Sequence, residues 1–187
     1  MNKSNKALER RIGYNFNDES LLTLALTHRS VGANNNERLE FLGDRVLGLL
    51  TAEILFDKSS ADEGGLARKL NALVRKETCA EVSAALEVGD LLMMSKSTEK
   101  LGGRAKLSIL GDVAEALLAA IYLDGGYEAA SRFYNKFWSE KLMSTLASSG
   151  KDPKTELQER AATTKGLVPE YDLVGRTGPD HNPAFHV

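Results

Sequence analysis

Acidic residues are spaced in this chain so that helices would stack them. In Glu37-Arg38-Leu39-Glu40-Phe41-Leu42-Gly43-Asp44, the acids stand at i, i+3 and i+7 and share one narrow helical face. The rest of that stretch is apolar nearly all round: Leu39, Leu42, Val46, Leu47, Leu49, Leu50, Ile54 and Leu55. Such a helix is expected to be largely buried. Buried ionised carboxylates are costly unless something neutralises them. A second stretch repeats the pattern, with Asp112 and Glu115 at i and i+3 inside an otherwise apolar Ile109 to Leu123. Ala116 and Ala119 on that face, and Gly48 on the first, would let two backbones approach closely. The two helices are therefore expected to cross with Glu40, Asp44, Asp112 and Glu115 converging on one point. Four carboxylates without a nearby His or Cys select a hard cation that takes oxygen ligands, Mg²⁺ or Mn²⁺. A solvated acidic face, the ordinary reading of such spacing, fits neither the apolar flanks nor the repetition.

The elements that must position these residues are helical. From Leu8 to about Ala147 no strand-like alternation stands out. Asn17 or Asp18 caps a helix through Leu21, Leu22, Leu24, Ala25 and Leu26. Asn34-Asn35-Asn36 is a polar loop ending in an N-cap, and Glu37 to about Phe56 is a long helix. Ser59 to Gly65 reads as a loop, followed by one helix from Leu66 towards Glu87. Gly102-Gly103 marks another loop. Ser108 to Leu123 is an apolar helix, Asp124-Gly125-Gly126 stops it, and Tyr127 to Leu146 is one more. The character changes at the linker-like Ser148-Ser149-Gly150-Lys151. Asp152 as N-cap and Pro153 at the first helical position open a short helix carrying Leu157 and Ala161. Glu170 to Val174 reads as a strand, Gly178-Pro179-Asp180 as a turn, and Phe185 to Val187 as the start of a second strand. A hairpin with one short helix is marginal alone, so this part reads as half a domain.

A length of 187 residues fits one domain, or one plus part of another. Hydrophobic residues at 42% and charged residues at 27% indicate a globular rather than a disordered chain. A net charge of −2 argues mildly against nucleic acid, an objection that weakens if the acids are gathered in a metal site. No apolar run reaches the roughly 18 residues of a membrane span. Met1 to Arg11 is too polar for a secretory signal. Cys79, the single cysteine, excludes an internal disulfide framework. A cytoplasmic protein without a membrane partner is expected.

The string Asn36 to Asp44, NERLEFLGD, resembles the signature of the ribonuclease III family. Asp62-Glu63-Gly64 with Ala67-Arg68 resembles its next acidic loop. Ser108-Ile109-Leu110 with Asp112 and Glu115 resembles its second metal-binding helix. The resemblance covers essentially the whole chain. It implies an all-α endonuclease domain (residues 1–148) followed by an α+β double-stranded-RNA-binding domain (152–187), the latter truncated before its third strand and final basic helix. It implies that Glu40, Asp44, Asp112 and Glu115 hold a catalytic Mg²⁺, replaceable by Mn²⁺, with Asp44 and Glu115 catalytic and Glu37 and Glu63 in supporting roles near the cleavage site. It implies a homodimer whose Phe41 inserts into the partner; helix physics alone makes Phe41 a core residue. Gln158, Glu159 and His181 would contact the minor grooves of duplex RNA, where 2′-hydroxyls are displayed. The expected reaction is metal-assisted hydrolysis in rRNA and mRNA processing, leaving 5′-phosphates, 3′-hydroxyls and short 3′ overhangs. Arg45 departs from the small residue common there; it is a phosphate contact or a salt-bridge partner.

Other features read as ordinary. A histidine mechanism needs two positioned imidazoles, whereas His28 reads as a helix-end or core residue and His186 as part of a strand. Cys79, Met93-Met94 and the Phe133, Tyr134, Phe137, Trp138 stripe read as packing. Gly102-Gly103 before Arg104 and Lys106 is a phosphate loop or a plain turn. Arg68, Lys69, Arg75 and Lys76 form a basic rim or, on the plainer reading, are solvated helix charges. A duplex-RNA-binding regulator without catalysis is the alternative function. A prenyl-diphosphate synthase type is disfavoured by the absence of an Asp-Asp pair, and a DNA endonuclease by the residues that read 2′-hydroxyls.

Overall fold

Two helices, α3 (Glu37–Lys58) and α7 (Leu107–Ala147), pack along each other more extensively than any other pair of elements. Around them lie α1 (Lys3–Ile12), α2 (Glu19–Ala25), α4 (Glu63–Val74), α5 (Lys76–Ala85) and the short α6 (Lys96–Lys100). This computed structural model describes residues 3–147, 153–163, 172, 174–177 and 184–186. The chain divides into two units, Met1–Gly150 and Lys151–Val187. Among the described residues, no helix is long and apolar enough to cross a membrane.

The local chemistry explains the helix ends. The Asp18 side chain accepts from the Ser20 backbone N–H at 2.9 Å and caps α2. At the start of α3, Asn36 holds the cap position without a side-chain bond, and Asn35 Oδ1 instead accepts from the Glu37 N–H at 2.9 Å. The Asp124-Gly125-Gly126 stop becomes a kink inside α7, where Gly126 takes φ 73°, a left-handed value suited to glycine. There the Asp124 carboxylate accepts from the Tyr14 hydroxyl at 2.6 Å and from the backbone N–H groups of Asn17 and Asp18 at 2.8 and 2.9 Å. These bonds tie the connection before α2 to the kink. They also outweigh the effect of burial and hold the Asp124 carboxyl below its usual range.

The apolar first limb of α7 is buried on every side, from Val113 through Ile121, as an all-round hydrophobic helix must be. Its second limb contributes Phe133, Tyr134 and Trp138, with Tyr134 and Trp138 stacked at 5.4 Å between centroids. Thr51 donates to the Tyr134 hydroxyl at 3.1 Å and links α3 to this stripe.

The single helix expected from Leu66 towards Glu87 is two. Helix α4 begins earlier, at Glu63, because the Asp62 side chain accepts from the Gly65 N–H at 2.8 Å. It ends at Arg75, whose backbone is extended (φ −63°, ψ 154°), and α5 starts at the next residue. No Gly or Pro marks this break. Tertiary partners take up the carbonyls it frees: Trp138 Nε1 donates to Leu73 O at 3.1 Å, and Thr78 Oγ1 to Ala72 O at 3.1 Å.

In the second unit, α8 (Pro153–Thr163) begins at its proline, and β1 (Gly175–Thr177) pairs antiparallel with β2 (Ala184–His186). Arg176 faces Phe185 in the register. The first strand therefore starts after Val174 rather than ending there. The expected turn at Gly178 to Asp180 lies outside the described residues.

Candidate metal centre

Glu40 projects from the first turns of α3, and Asp112 and Glu115 from the first limb of α7. One carboxylate oxygen from each lies within 4.8 Å of the others. The glycine that permits this crossing is Gly43. A Cβ there would stand 1.9 Å from the Glu115 carbonyl oxygen and 2.5 Å from its carbon, so only glycine fits. Gly48, expected in that role, has nothing within 4 Å of a Cβ and does not make the contact.

Inside the triangle of acids lies the ammonium group of Lys76. It stands 2.5 Å from Asp112 Oδ1, 3.1 Å from Glu115 Oε2 and 3.3 Å from Glu40 Oε1. Reading Lys76 as a solvated charge is thus corrected: the break at Arg75 sets it at the start of α5, over the cluster. Its stem runs along Gly111, where a Cβ would fall 2.5 Å from Lys76 Cδ. Lys69 is corrected too, since it is buried and its Nζ caps the end of α7 at Thr145 O, 2.5 Å away.

The electrostatics follow from burial. Glu115 is 4% exposed, and desolvation lifts its carboxyl to about 7 against the opposing pull of Lys76, with the charges of Asp44 and Glu40 pushing the same way as burial. Burial and the Asp112 charge likewise raise Glu40. Burial alone would lower Lys76, but its bonds to Asp112 and Glu115 raise it, so it stays charged. Cys79 lies against the cluster, with Sγ 3.9 Å from Glu115 Oε1. Burial and the Glu115 charge push its thiol well up. The close group is made of carboxylate oxygens, has drawn in a cation, and suits a hard divalent ion.

The cluster forms the floor of a cavity of about 960 Å³. Asp44 lines it but stands outside the close triple and pairs with Arg45, whose guanidinium lies 5.5 Å from the Phe41 ring centroid. Glu37 lines it as well, 3.7 Å from Arg29. His28, Ser30 and Lys106 complete the wall. Burial lowers the pKa of His28, and its Nδ1 lies 2.8 Å from Ser30 Oγ, an anchored side chain rather than half of an acid–base pair. Arg104 is committed to a turn, bonding Gly89 O, Leu92 O and Glu99.

The Ribonuclease-III-like family pattern matches residues 18–142, a span that holds every acid of this cavity. The chain belongs to the ribonuclease III family. It is an endoribonuclease of that type. It is 50% identical over 186 residues to the Ribonuclease 3 of Caulobacter vibrioides, a match covering 96% of this chain and 80% of that protein. The crystal structure of the nuclease domain of ribonuclease III from Campylobacter jejuni is similar at a TM-score of 0.70 and 39% identity, over 75% of this chain and 97% of that one. A second structure of that domain, described for flexibility in a region involved in dimer formation, gives 0.69 and 42%, over 72% and 98%.

Not every expected ribonuclease III site residue comes to the cavity. Glu63 opens α4 and lines a separate groove of about 640 Å³ with Leu49, Phe56, Leu66 and Leu70. Phe41 does line the cavity, but it is 69% exposed and not a core residue. Gln158 is exposed on α8, while the Glu159 side chain and His181 lie outside the described residues.

Proposed function

We propose that this ribonuclease III family member cleaves double-stranded RNA by hydrolysis that depends on Mg²⁺, with Mn²⁺ as a substitute, leaving 5′-phosphate and 3′-hydroxyl ends. The observation that carries this reading is the convergence of Glu40, Asp112 and Glu115 from two crossing helices on the floor of a wide cavity. These three hold the ion, and Asp44 joins them from the same wall. A bound divalent ion acidifies water and stabilises charge on phosphate oxygens. The chain supplies the rest. Burial of Glu115 keeps water from screening the cluster, and Arg29 and Lys106 on the wall attract the phosphates of the substrate. Glu37, paired with Arg29, orients that wall.

Residues 1–148 act as the nuclease domain and 152–187 as part of a duplex-RNA-binding domain. Gln158, Glu159 and His181 read the minor grooves in this proposal, and 2′-hydroxyls there favour RNA over DNA. The active species is a homodimer. Phe41, Leu49 and Phe56, exposed by 69%, 57% and 78%, leave an apolar surface on α3 that a soluble monomer would be expected to cover. Glu63 borders the groove lined by Leu49 and Phe56, and the proposed dimer would bring it near a cleavage site in its supporting role. rRNA and mRNA precursors are the proposed substrates, and the cytoplasm is the proposed compartment.

The test is incubation of the chain with a long end-labelled RNA duplex, with and without Mg²⁺, followed by analysis of the ends. Metal-dependent fragments with 5′-phosphates and 3′-hydroxyls are expected. Cyclic phosphate ends would reject the mechanism, and an uncut but bound duplex would leave a binding protein without catalysis.

A further inference from the structure

We propose that Lys76 is a displaceable occupant of the metal position: its ammonium group closes the carboxylate cluster until a divalent cation binds, and must then leave. This rests on the reading of Glu40, Asp112 and Glu115 as metal ligands. One nitrogen lies within 3.3 Å of oxygens from all three carboxylates, and those carboxylates offer oxygens within 4.8 Å of one another. A magnesium ion needs its oxygens at about 2.0–2.1 Å. The triangle therefore has room for one cation at a time, and two would repel each other at close range.

The placement is specific to this chain's architecture. The extended backbone of Arg75 separates α4 from α5 and sets Lys76 directly over the acids. Gly111 opens the path for its stem, because any Cβ there would collide with Lys76 Cγ and Cδ at 2.7 and 2.5 Å. The exit is also present. The Lys76 side chain is 34% exposed and lines the cavity of about 960 Å³. A lysine stem has the torsional freedom to swing out while its charge stays solvated.

Two consequences follow. Lys76 keeps three close carboxylates, one of them deeply buried, from repelling each other before the ion arrives. Divalent binding becomes an exchange of cations, weaker than binding to the same acids without the lysine.

Isothermal titration of Mn²⁺ and Mg²⁺ into the wild type and Lys76→Met, with melting of both in chelator, tests the proposal. Lys76→Met is expected to bind the ion about tenfold more tightly, roughly 1.4 kcal/mol. It should melt below the wild type in chelator, and the gap should close at saturating Mn²⁺. Mass-spectrometric mapping with an amine-acylating reagent gives a readout on the wild type alone, should the variant fail to fold. Lys76 is expected to react slowly in chelator and several-fold faster at saturating Mg²⁺. Equal or weaker binding by Lys76→Met, or labelling of Lys76 indifferent to an ion the wild type binds, overturns the displacement and leaves the metal centre standing. No binding heat in either protein, with no melting shift from Mn²⁺, overturns both.

Discussion

Glu115 combines deep burial with a contact to the one cation in the cluster, and its chemistry sets the behaviour of the site. Replacing it with Gln keeps the shape and removes the charge. Cleavage by Glu115→Gln is expected to fall about 100-fold or more, the scale of losing one interaction with developing charge, in single-turnover assays at low Mg²⁺. Activity equal to the wild type would refute the reading of Glu115 as a metal ligand that cleavage depends on. The same residue gives a pH dependence. Its carboxyl sits at about 7 in the fold, above its ordinary value of 4.5. Its contribution to stability without metal is therefore fully present below the ordinary value and lost as pH rises through about 7. Metal binding needs the ionised form and runs the other way. Between about pH 8 and about pH 6, divalent affinity is expected to fall while the melting temperature in chelator rises, and Glu115→Gln should flatten both trends. Titration calorimetry and melting across that range check the two signs separately.

The crossing of α3 and α7 is set at a single point of contact between backbones. Gly43→Ala would drive a methyl group to 1.9 Å from the Glu115 carbonyl oxygen. Backbone cannot yield as a flexible side chain does, so the helices must separate. A loss of at least about 2 kcal/mol in denaturant unfolding is expected, together with loss of divalent binding. Gly48→Ala, five residues on, meets nothing within 4 Å among the described residues and should bind the ion like the wild type. If both variants bind normally, the close approach at Gly43 does not organise the site. The α4–α5 break is a second determinant at this scale. It places Lys76, and it is held by Trp138 and Thr78 bonding the carbonyls at the end of α4.

For the molecule as a whole, the exposed apolar face of α3 makes a prediction about assembly. Phe56 is 78% exposed and borders the groove that holds Glu63. Phe56→Glu places a charge on a surface the fold does not need, so the chain should stay folded. Sedimentation is expected to show the wild type as a dimer and this variant shifted to monomer, with cleavage of duplex RNA reduced in parallel. A wild-type chain that sediments as a monomer at micromolar concentration would remove the interface from the proposal. Phe41→Ala, by the same argument, should weaken the dimer, because its ring is 69% exposed and its guanidinium neighbour Arg45 stands 5.5 Å from the ring centroid.

Much of this was legible in the residues themselves. The i, i+3 and i+7 spacing placed the acids on helix faces, because helical periodicity is a local property of the chain, and the apolar flanks implied a burial that holds for the first limb of α7 but not for Leu49 on α3. Asp18, Pro153 and the Asp124-Gly125-Gly126 stop announced their ends for the same reason. Two of the four expected ligands, Glu40 and Glu115, owe their raised pKa values first to burial and then to acidic charges brought close by packing, and no spacing shows how deep either side chain lies. Tertiary structure alone decided that Asp44 lines the cavity outside the close triple and pairs with Arg45, that Gly43 rather than Gly48 is the crossing point, and that Phe41 is exposed. It alone decided that a lysine read as solvated lies among three carboxylates. Each outcome depends on which faces meet when α3, α5 and α7 pack, and on a helix break that Trp138, from a distant part of the chain, helps to hold.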